Sequence, residues 1–272
     1  MQATVAQYAP LGGIAMDKFD DKLCAPYTLE GSGERARHGV LIIHGFGGSP
    51  AQLRLLAQSI NELGYTVKGL LLPGHCTTLE DMARVSWQDY IAAVRAGWDE
   101  LAARCDDVSP IGLSMGGLLS LIMCAGRPAR ACITLSAAIK PTNKLAPLSP
   151  VLKYVLPPVM RWPERFMNRG EDFLNEYDYG YHGLPLRRVA DLMHLSRMAQ
   201  DALKDVRCPL LVIQSDFDPT VQPVSAEIIM RGTASERKKL VRLPHPAHII
   251  TLGPDRKTVT DETCAWLESV TD

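Results

Sequence analysis

The sequence lacks the features that mark membrane, nucleic-acid-binding and repetitive proteins. Its 29 lysines and arginines are balanced by 30 aspartates and glutamates, so a net charge of −1 provides no basic surface for nucleic acid or an anionic membrane. No apolar run approaches the roughly 20 residues that a membrane-spanning helix needs. No internal repeat or low-complexity tract is present. We therefore expect no nucleic-acid partner, no stable membrane insertion, and a small or neutral ligand.

Paired cysteines are also missing. Seven cysteines are scattered along the chain without a CxxC pair, at positions 24, 76, 105, 124, 132, 208 and 264. Several lie in apolar runs, which favours free, buried thiols in a reducing compartment. The first residues, MQATVAQYAPLGG, have neither a basic n-region nor a continuous apolar h-region. We therefore expect no secretory signal and a cytoplasmic location.

What the sequence does contain is an alternation of strand and helix patterns, in a chain long enough for one large domain. The apolar run VLII at 40–43 is typical of a strand buried on both faces. Behind it, Ser49 as N-cap, Pro50 at the first helical position and Gln52 predict a helix with a capping box, which Gly64 ends.

The same unit recurs along the chain. Further strands are predicted at 65–72, 108–113, 131–135, 210–214 and 239–243, and further helices at 87–103, from 116 onward, and at 259–270. Parallel neighbours require crossover connections, so this alternation predicts an α/β fold with a mostly parallel, doubly wound sheet covered by helices on both faces.

The alternation breaks at 137–200, a segment with seven prolines and an aromatic cluster at Tyr177, Tyr179 and Tyr181. About 60 residues between two strands is an insertion rather than an ordinary loop. We interpret 137–200 as a helical cap inserted between core segments 1–136 and 201–272, because it leaves from the strand ends where α/β proteins bind ligands. The alternative is a helical insertion that takes no part in a functional site.

A serine elbow lies in the stretch IGLSMGGL. Ser114 stands between Gly112 and Gly116 in a G-x-S-x-G pattern, after a predicted strand and before a predicted helix. This context is that of a nucleophile held on a strained turn, where neighbouring backbone segments leave room only for small residues. The alternative is a glycine-rich turn in which Ser114 is simply a helix N-cap.

Two backbone N–H groups are candidate donors to an oxyanion. Met115 follows the serine at the start of the helix, where N–H groups are unpaired and the helix dipole favours a negative oxygen. The loop HGFGG at 44–48 follows an earlier strand, and its glycines allow close backbone approach; here we assign the second donor to the N–H of Phe46.

A serine nucleophile needs a histidine base. Of seven histidines, His245 and His248 follow the last predicted strand, and we assign His248 as the base because it directly precedes the final helical region. His245 lies between two prolines and is interpreted as a loop-stiffening residue. His44, which opens the HGFGG loop, is interpreted as structural, and the others lie before the first core strand, in a loop or in the insertion (38, 75, 182 and 194).

The base in turn needs a carboxylate. The strand at 210–214 ends in SDFDPTVQP, which offers Asp216 and Asp218. We assign Asp218, because the following prolines and Val221 would fix the loop that turns the carboxylate back toward His248. Asp216 remains the alternative, and either residue would also suit a turn.

The motifs HGFGG, GLSMGG, SDFDPTVQP and PAHIITL, in that order, resemble the α/β-hydrolase fold, and more narrowly the bacterial carboxylesterase and monoacylglycerol-lipase group. The resemblance covers about 41–267 and is weakest in the insertion. It implies Ser114, Asp218 and His248 as a catalytic triad, and the order Ser, Asp, His is that of the family. One departure is Ala247, where the family often has glycine or an aromatic residue.

The expected activity is two-step hydrolysis of a small-molecule carboxylic ester through an acyl-enzyme, without a metal or organic cofactor. An apolar acyl-binding pocket is expected from the apolar residues of the insertion: Leu145, Leu148, Val151, Leu152, Val155, Leu156, Val159 and Met160. Short-to-medium acyl esters or monoacylglycerols are the expected substrates. The same triad would also serve a thioesterase, a lactonase, a C–C bond hydrolase or an acyltransferase, and a non-catalytic ligand-binding scaffold is a further alternative.

Overall fold

The computed structural model describes residues 19–143, 146–149, 159–161 and 172–271. Within these residues the strands are β1 (Tyr27–Leu29), β2 (His38–Ile43), β3 (Thr66–Gly69), β4 (Asp107–Leu113), β5 (Cys132–Leu135), β6 (Val159–Arg161), β7 (Gly183–Pro185), β8 (Leu210–Ser215) and β9 (Lys238–Leu243). The α-helices are α1 (Ala51–Glu62), α2 (Leu79–Arg84), α3 (Trp87–Ala102), α4 (Met115–Gly126), α5 (Leu186–Ala202), α6 (Val224–Gly232) and α7 (Arg256–Thr271).

The central sheet has the strand order β1-β3-β2-β4-β5-β8-β9. Only β1 pairs antiparallel within it, and each of the other neighbouring pairs is parallel. The predicted α/β class with a mostly parallel, doubly wound sheet is therefore confirmed. Because the strands are parallel, the loops after β2, β4, β8 and β9 meet at one edge of the sheet.

Strand β2 shows how the two faces of the sheet are covered. Its alternate residues enter two separate apolar clusters, with Leu41 on one face and Ile42 on the other. The first cluster includes residues of α3, α4 and α5, and the second includes residues of α1 and α7. A strand buried on both faces reads as a continuous apolar run, which is why β2 was recognisable in the sequence.

Two local predictions were wrong. The predicted strand 65–72 is shorter, since β3 ends at Gly69 and the following residues form a loop beside the site. The capping box of α1 does not form: the N-cap residue is Pro50, and the Gln52 amide donates to Asp178 at 2.8 Å. A tertiary contact therefore replaces the local one. Gly64 ends the helix as predicted, with φ +100°.

The insertion contributes helix α5, which packs on the core. The Ser196 hydroxyl of this helix donates to the Ile139 carbonyl at 2.8 Å, and Leu195 and Ala199 are buried in the same apolar cluster as α4. Strands β6 and β7 form a separate antiparallel pair. Most of 144–171 lies outside the described residues, so the cap at 137–200 stays a prediction.

All seven cysteines lie in the described part of the chain and are free thiols there. In the same residues, no helix is both long enough and apolar enough to span a bilayer.

Candidate active site

Ser114 lies at the turn between β4 and α4, in a backbone conformation that residues other than glycine rarely adopt. Its φ is 55° and its ψ is −111°. Such a backbone costs of order 1–3 kcal/mol and persists only where the surroundings enforce it. Here its N–H donates to the Leu135 carbonyl at 2.8 Å, and its own carbonyl accepts from the N–H groups of Gly117 and Ala138.

The glycines around the serine have a steric explanation. A Cβ on Gly112 would lie 2.1 Å from the Gly116 carbonyl, and a Cβ on Gly116 would lie 2.1 Å from the carbonyl oxygen of Ile43. These obstacles are backbone atoms, which cannot rotate away. The glycines of the G-x-S-x-G pattern therefore allow β4, α4 and the end of β2 to cross closely enough to form the elbow.

The partly buried His248 and the buried Asp218 form a pair at the same edge of the sheet. The Nδ1 atom of His248 lies 2.9 Å and 3.1 Å from the two carboxylate oxygens of Asp218. The carboxylate also accepts from the N–H groups of Thr220 and Val221 and from the Gln214 amide. Because a carboxylate only accepts, Nδ1 carries the hydrogen, and Nε2 is left as the basic nitrogen.

The environment keeps Asp218 ionised. Burial would by itself raise its pKa, but the hydrogen bond and charge of His248 and the two backbone N–H groups outweigh burial, so the pKa lies below its ordinary value. An ionised carboxylate can orient the imidazole and stabilise it when it becomes positively charged.

The alternative acid and base make other contacts. Asp216 forms an ion pair with Arg242 at 3.3 Å. His245 bonds through Nδ1 to Asp255 at 2.8 Å, and its side chain is largely exposed. The structure thus brings Asp218 to His248 and keeps Asp216 and His245 in separate pairs.

The two assigned oxyanion donors are backbone N–H groups. Within the residues that the structure describes, the N–H groups of Met115 and Phe46 donate to no protein atom. The carbonyl of Gly45 accepts from His44 Nδ1 at 2.9 Å and from the Gly48 N–H at 3.2 Å. A trans peptide directs its N–H opposite to its carbonyl, so these bonds also orient the Phe46 N–H.

Two buried histidines hold the loop that carries Phe46. His44 accepts the Leu72 N–H at Nε2, and His75 accepts the Gly47 N–H at Nε2, each at 3.0 Å. Burial holds the pKa of His44 well below its usual value and lowers the pKa of His75 to about 4. The predicted structural role of His44 agrees with these bonds. His75 was placed only in a loop by the sequence, because its partner is a backbone group 28 positions away.

A cavity of about 330 Å³ joins these parts. Ser114 and His248 both line it, together with the 45–48 loop. Its apolar wall includes Phe46, Leu184, Leu192 and Ile249, and its polar wall includes Gln52, Asp178 and Thr220. The cavity can therefore hold a molecule with an apolar part and a polar part next to the serine.

Segment 178–184 of the insertion closes one side of this cavity. The Tyr181 N–H donates to the Gly47 carbonyl at 2.9 Å, and its hydroxyl bonds to the loop that follows β3, at Gly74 and Thr77. Of the apolar residues predicted to form an acyl pocket, Leu148 is exposed, and Val159 packs against the apolar cluster of Leu79, Met82 and Tyr181. The side chains at 145, 151, 152, 155, 156 and 160 lie outside the described residues.

No group of three or more histidine, cysteine, aspartate or glutamate side chains in the described ranges could hold a metal ion. Two of the three remaining histidines make contacts away from this pair: His38 bonds to Asp107 at 2.9 Å, and the ring of His194 lies 4.6 Å from that of Trp87.

The parallel sheet, the strained serine at the end of β4 and the histidine after β9 define an α/β-hydrolase of the serine hydrolase class. Residues 34–255 match the sequence profile of the family described as "Serine aminopeptidase, S33", and the chain belongs to that family. It is therefore an enzyme, as the sequence predicted.

Known proteins similar to this chain include two from Bacillus. The thermostable monoacylglycerol lipase of Bacillus sp. (strain H-257) is 32% identical over 227 residues, which cover 83% of this chain and 88% of that protein. The carboxylesterase of Bacillus subtilis (strain 168) is 25% identical over 246 residues, covering 90% and 96%. The solved structure of a metagenome-derived lipolytic enzyme, from work on LipS and LipT, superposes with a TM-score of 0.81 at 29% identity, covering 90% and 98%. The resemblance to the carboxylesterase and monoacylglycerol-lipase group is confirmed.

Proposed function

We propose that this enzyme hydrolyses carboxylic esters of short-to-medium acyl chains or monoacylglycerols, with Ser114 as nucleophile, His248 as base and Asp218 as acid. The observation that carries the proposal is the pairing of His248 Nδ1 with a buried Asp218 on a cavity whose wall also contains the strained Ser114. The names of the Bacillus relatives point to the same chemistry.

In the first step, His248 Nε2 takes the proton of the Ser114 hydroxyl as its oxygen attacks the ester carbonyl. The N–H groups of Phe46 and Met115 donate to the resulting oxyanion, and His248 then passes the proton to the departing alcohol. The product of this step is an acyl-enzyme on Ser114.

In the second step, water attacks the acyl group while His248 takes a proton from it. Collapse of the second tetrahedral intermediate frees the carboxylic acid and returns the proton to Ser114. Asp218 stays ionised throughout and stabilises the imidazolium in both steps.

The cavity supports the proposed substrate class. Its volume of about 330 Å³ is near the lower end of the ~300–1,000 Å³ range of ligand pockets, which favours small esters. The apolar side chains fit an acyl chain, and the polar wall fits an alcohol that carries further hydroxyl groups. We propose segment 137–200 as the cap that covers this site.

The test compares wild type with Ser114→Ala on p-nitrophenyl butyrate. We expect kcat to fall by roughly 10⁴-fold or more, because removal of a triad nucleophile leaves only the oxyanion donors and binding. If the variant kept full activity, the proposal would be wrong.

A substrate panel then separates the reactions that the same triad serves. Matched butyryl esters, thioesters and lactones would be compared by kcat/KM, with a glycerol ester as the monoacylglycerol probe. We expect the oxygen esters to be the best substrates, and a preference for the thioester or the lactone would reassign the function within the serine hydrolase class.

A further inference from the structure

The loop that carries Phe46 and the loop after β3 hold each other through two histidines. From the first loop, the ring of His44 accepts the N–H of Leu72 in the second. From the second loop, the ring of His75 accepts the N–H of Gly47 in the first. The two rings lie edge to face with centroids 4.8 Å apart.

These bonds fix the peptide units on both sides of Phe46. The unit before it, between Gly45 and Phe46, is held at its carbonyl by His44 and by the Gly48 N–H. The unit after it, between Phe46 and Gly47, is held at its N–H by His75. Gly47 has φ +74°, a value that glycine adopts readily. Without the bond to His75, the unit after Phe46 would have no hydrogen bond within the described residues, and only the bonds of the neighbouring units would restrain it.

We propose that His75 is a positioning residue for the oxyanion hole, acting through the Gly47 N–H to aim the Phe46 N–H at the reacting carbonyl. This inference rests on the proposed function, because it assigns His75 a part in the same reaction. His75 does not line the cavity itself and acts only through the loop.

The ring is bound in one tautomer. Its Nδ1 lies 3.0 Å from the Pro73 carbonyl and donates to it, so Nε2 carries no hydrogen and accepts from Gly47. The aromatic rings that pack on it belong to His44, Tyr90 and Tyr181. The buried side chain therefore presents an acceptor to Gly47 and a donor to Pro73 at the same time.

Two substitutions separate these roles. In His75→Gln, the longer side chain places an amide oxygen near the former Nε2, so an acceptor for Gly47 is retained. In His75→Asn, the shorter side chain reaches only as far as Nδ1, so the bond to Pro73 is retained and the acceptor for Gly47 is lost. His38→Gln is the matched control, since His38 is also buried and hydrogen-bonded but lies at the opposite end of β2.

The readouts are the kinetics on p-nitrophenyl butyrate and inhibition by butylboronic acid, which forms an anionic tetrahedral adduct on a serine nucleophile. For His75→Asn we expect kcat to fall about 10- to 100-fold, less than or equal to the loss of a whole oxyanion donor, while KM changes by less than about threefold. The inhibition constant of butylboronic acid should rise by a similar factor. His75→Gln should recover most of both, and His38→Gln should match wild type.

Several outcomes would overturn the inference. It fails if folded His75→Asn, checked by circular dichroism, keeps wild-type kcat and boronate affinity. It also fails if His75→Gln and His75→Asn lose the same share of activity and this loss follows their loss of stability. That pattern would indicate a purely structural role for His75. Failure of the proposed function looks different, because wild type itself would then hydrolyse no ester, or Ser114→Ala would remain active.

Discussion

At the scale of single residues, the site depends on positions without a side chain as much as on the side chains that line it. The elbow forms because Gly112 and Gly116 lack a Cβ where β2, β4 and α4 cross. The same elbow holds Ser114 at a positive φ, so the strain of one residue is maintained by the close packing of its neighbours.

This packing predicts that two glycine-to-alanine substitutions in α4 differ sharply in their effect on the free energy of unfolding. Gly116→Ala would place a methyl group 2.1 Å from the Ile43 carbonyl oxygen and should lower the free energy of unfolding by about 3 kcal/mol or more. Gly126→Ala, at the other end of α4, meets no atom within 4 Å and should be neutral or stabilising by up to about 1 kcal/mol. Urea unfolding followed by circular dichroism measures both, and equal stabilities would contradict the steric explanation.

The two aspartates after β8 allow an equally direct comparison. Asp218→Asn keeps the shape of the side chain but removes the charge that orients His248, so kcat on p-nitrophenyl butyrate should fall roughly 10³- to 10⁴-fold. Asp216→Asn disrupts only a partly exposed ion pair with Arg242 and should leave kcat within about threefold of wild type. A larger loss in Asp216→Asn than in Asp218→Asn would reverse the assignment of the acid.

At the scale of elements, the proposed catalytic groups lie in the loops that follow strands β2, β4, β8 and β9 at one edge of the sheet. Strands β2, β4 and β8 are buried along nearly their whole length, whereas the loops after β2 and β3 are held by hydrogen bonds to buried side chains. The two histidines His44 and His75 join the loops after β2 and β3 in this way.

Burying two neutral histidines makes stability depend on pH. The pKa of His75 falls from 6.5 to about 4 on folding, so the unfolded chain binds a proton at a higher pH than the folded chain. The free energy of unfolding should therefore decrease as the pH drops from about 6.5 to about 4, by roughly 3 kcal/mol for this residue alone. His44, whose pKa is also lowered, adds to the loss in the same direction.

Urea titrations at several pH values test this dependence. Wild type should lose stability toward acid more steeply than His75→Gln, so the difference between the two proteins should shrink as the pH falls. A difference that stays constant from pH 7 to pH 4 would show that His75 does not titrate differently in the folded and unfolded chains.

At the scale of the whole molecule, the core of the fold was readable from sequence because its signals are local. The buried strand β2 is a continuous apolar run, and the elbow is a pattern of five residues with a strand on one side and a helix on the other. Three-residue strands such as β1 carry too little pattern to be recognised. The shortened β3 was missed because Leu70 and Leu72 are buried without belonging to the sheet.

The interactions that sequence could not predict join distant parts of the chain. Gln52 has the spacing of a capping residue, yet it bonds to Asp178 across 126 positions. The role of His75 depends on a backbone N–H in another loop, and no residue type marks such a partner. Tyr181 likewise was recognisable only as part of an aromatic cluster, whereas in the structure it connects the insertion to both loops of the site.

Labelling with a fluorophosphonate tests whether Ser114 is the nucleophile of this fold. Tryptic cleavage yields a peptide that contains Ser114 together with Ser109 and Ser120, and tandem mass spectrometry distinguishes the three. We expect a single adduct on Ser114 that abolishes ester hydrolysis. An adduct on a different residue, or full hydrolysis by enzyme quantitatively labelled at Ser114, would contradict it.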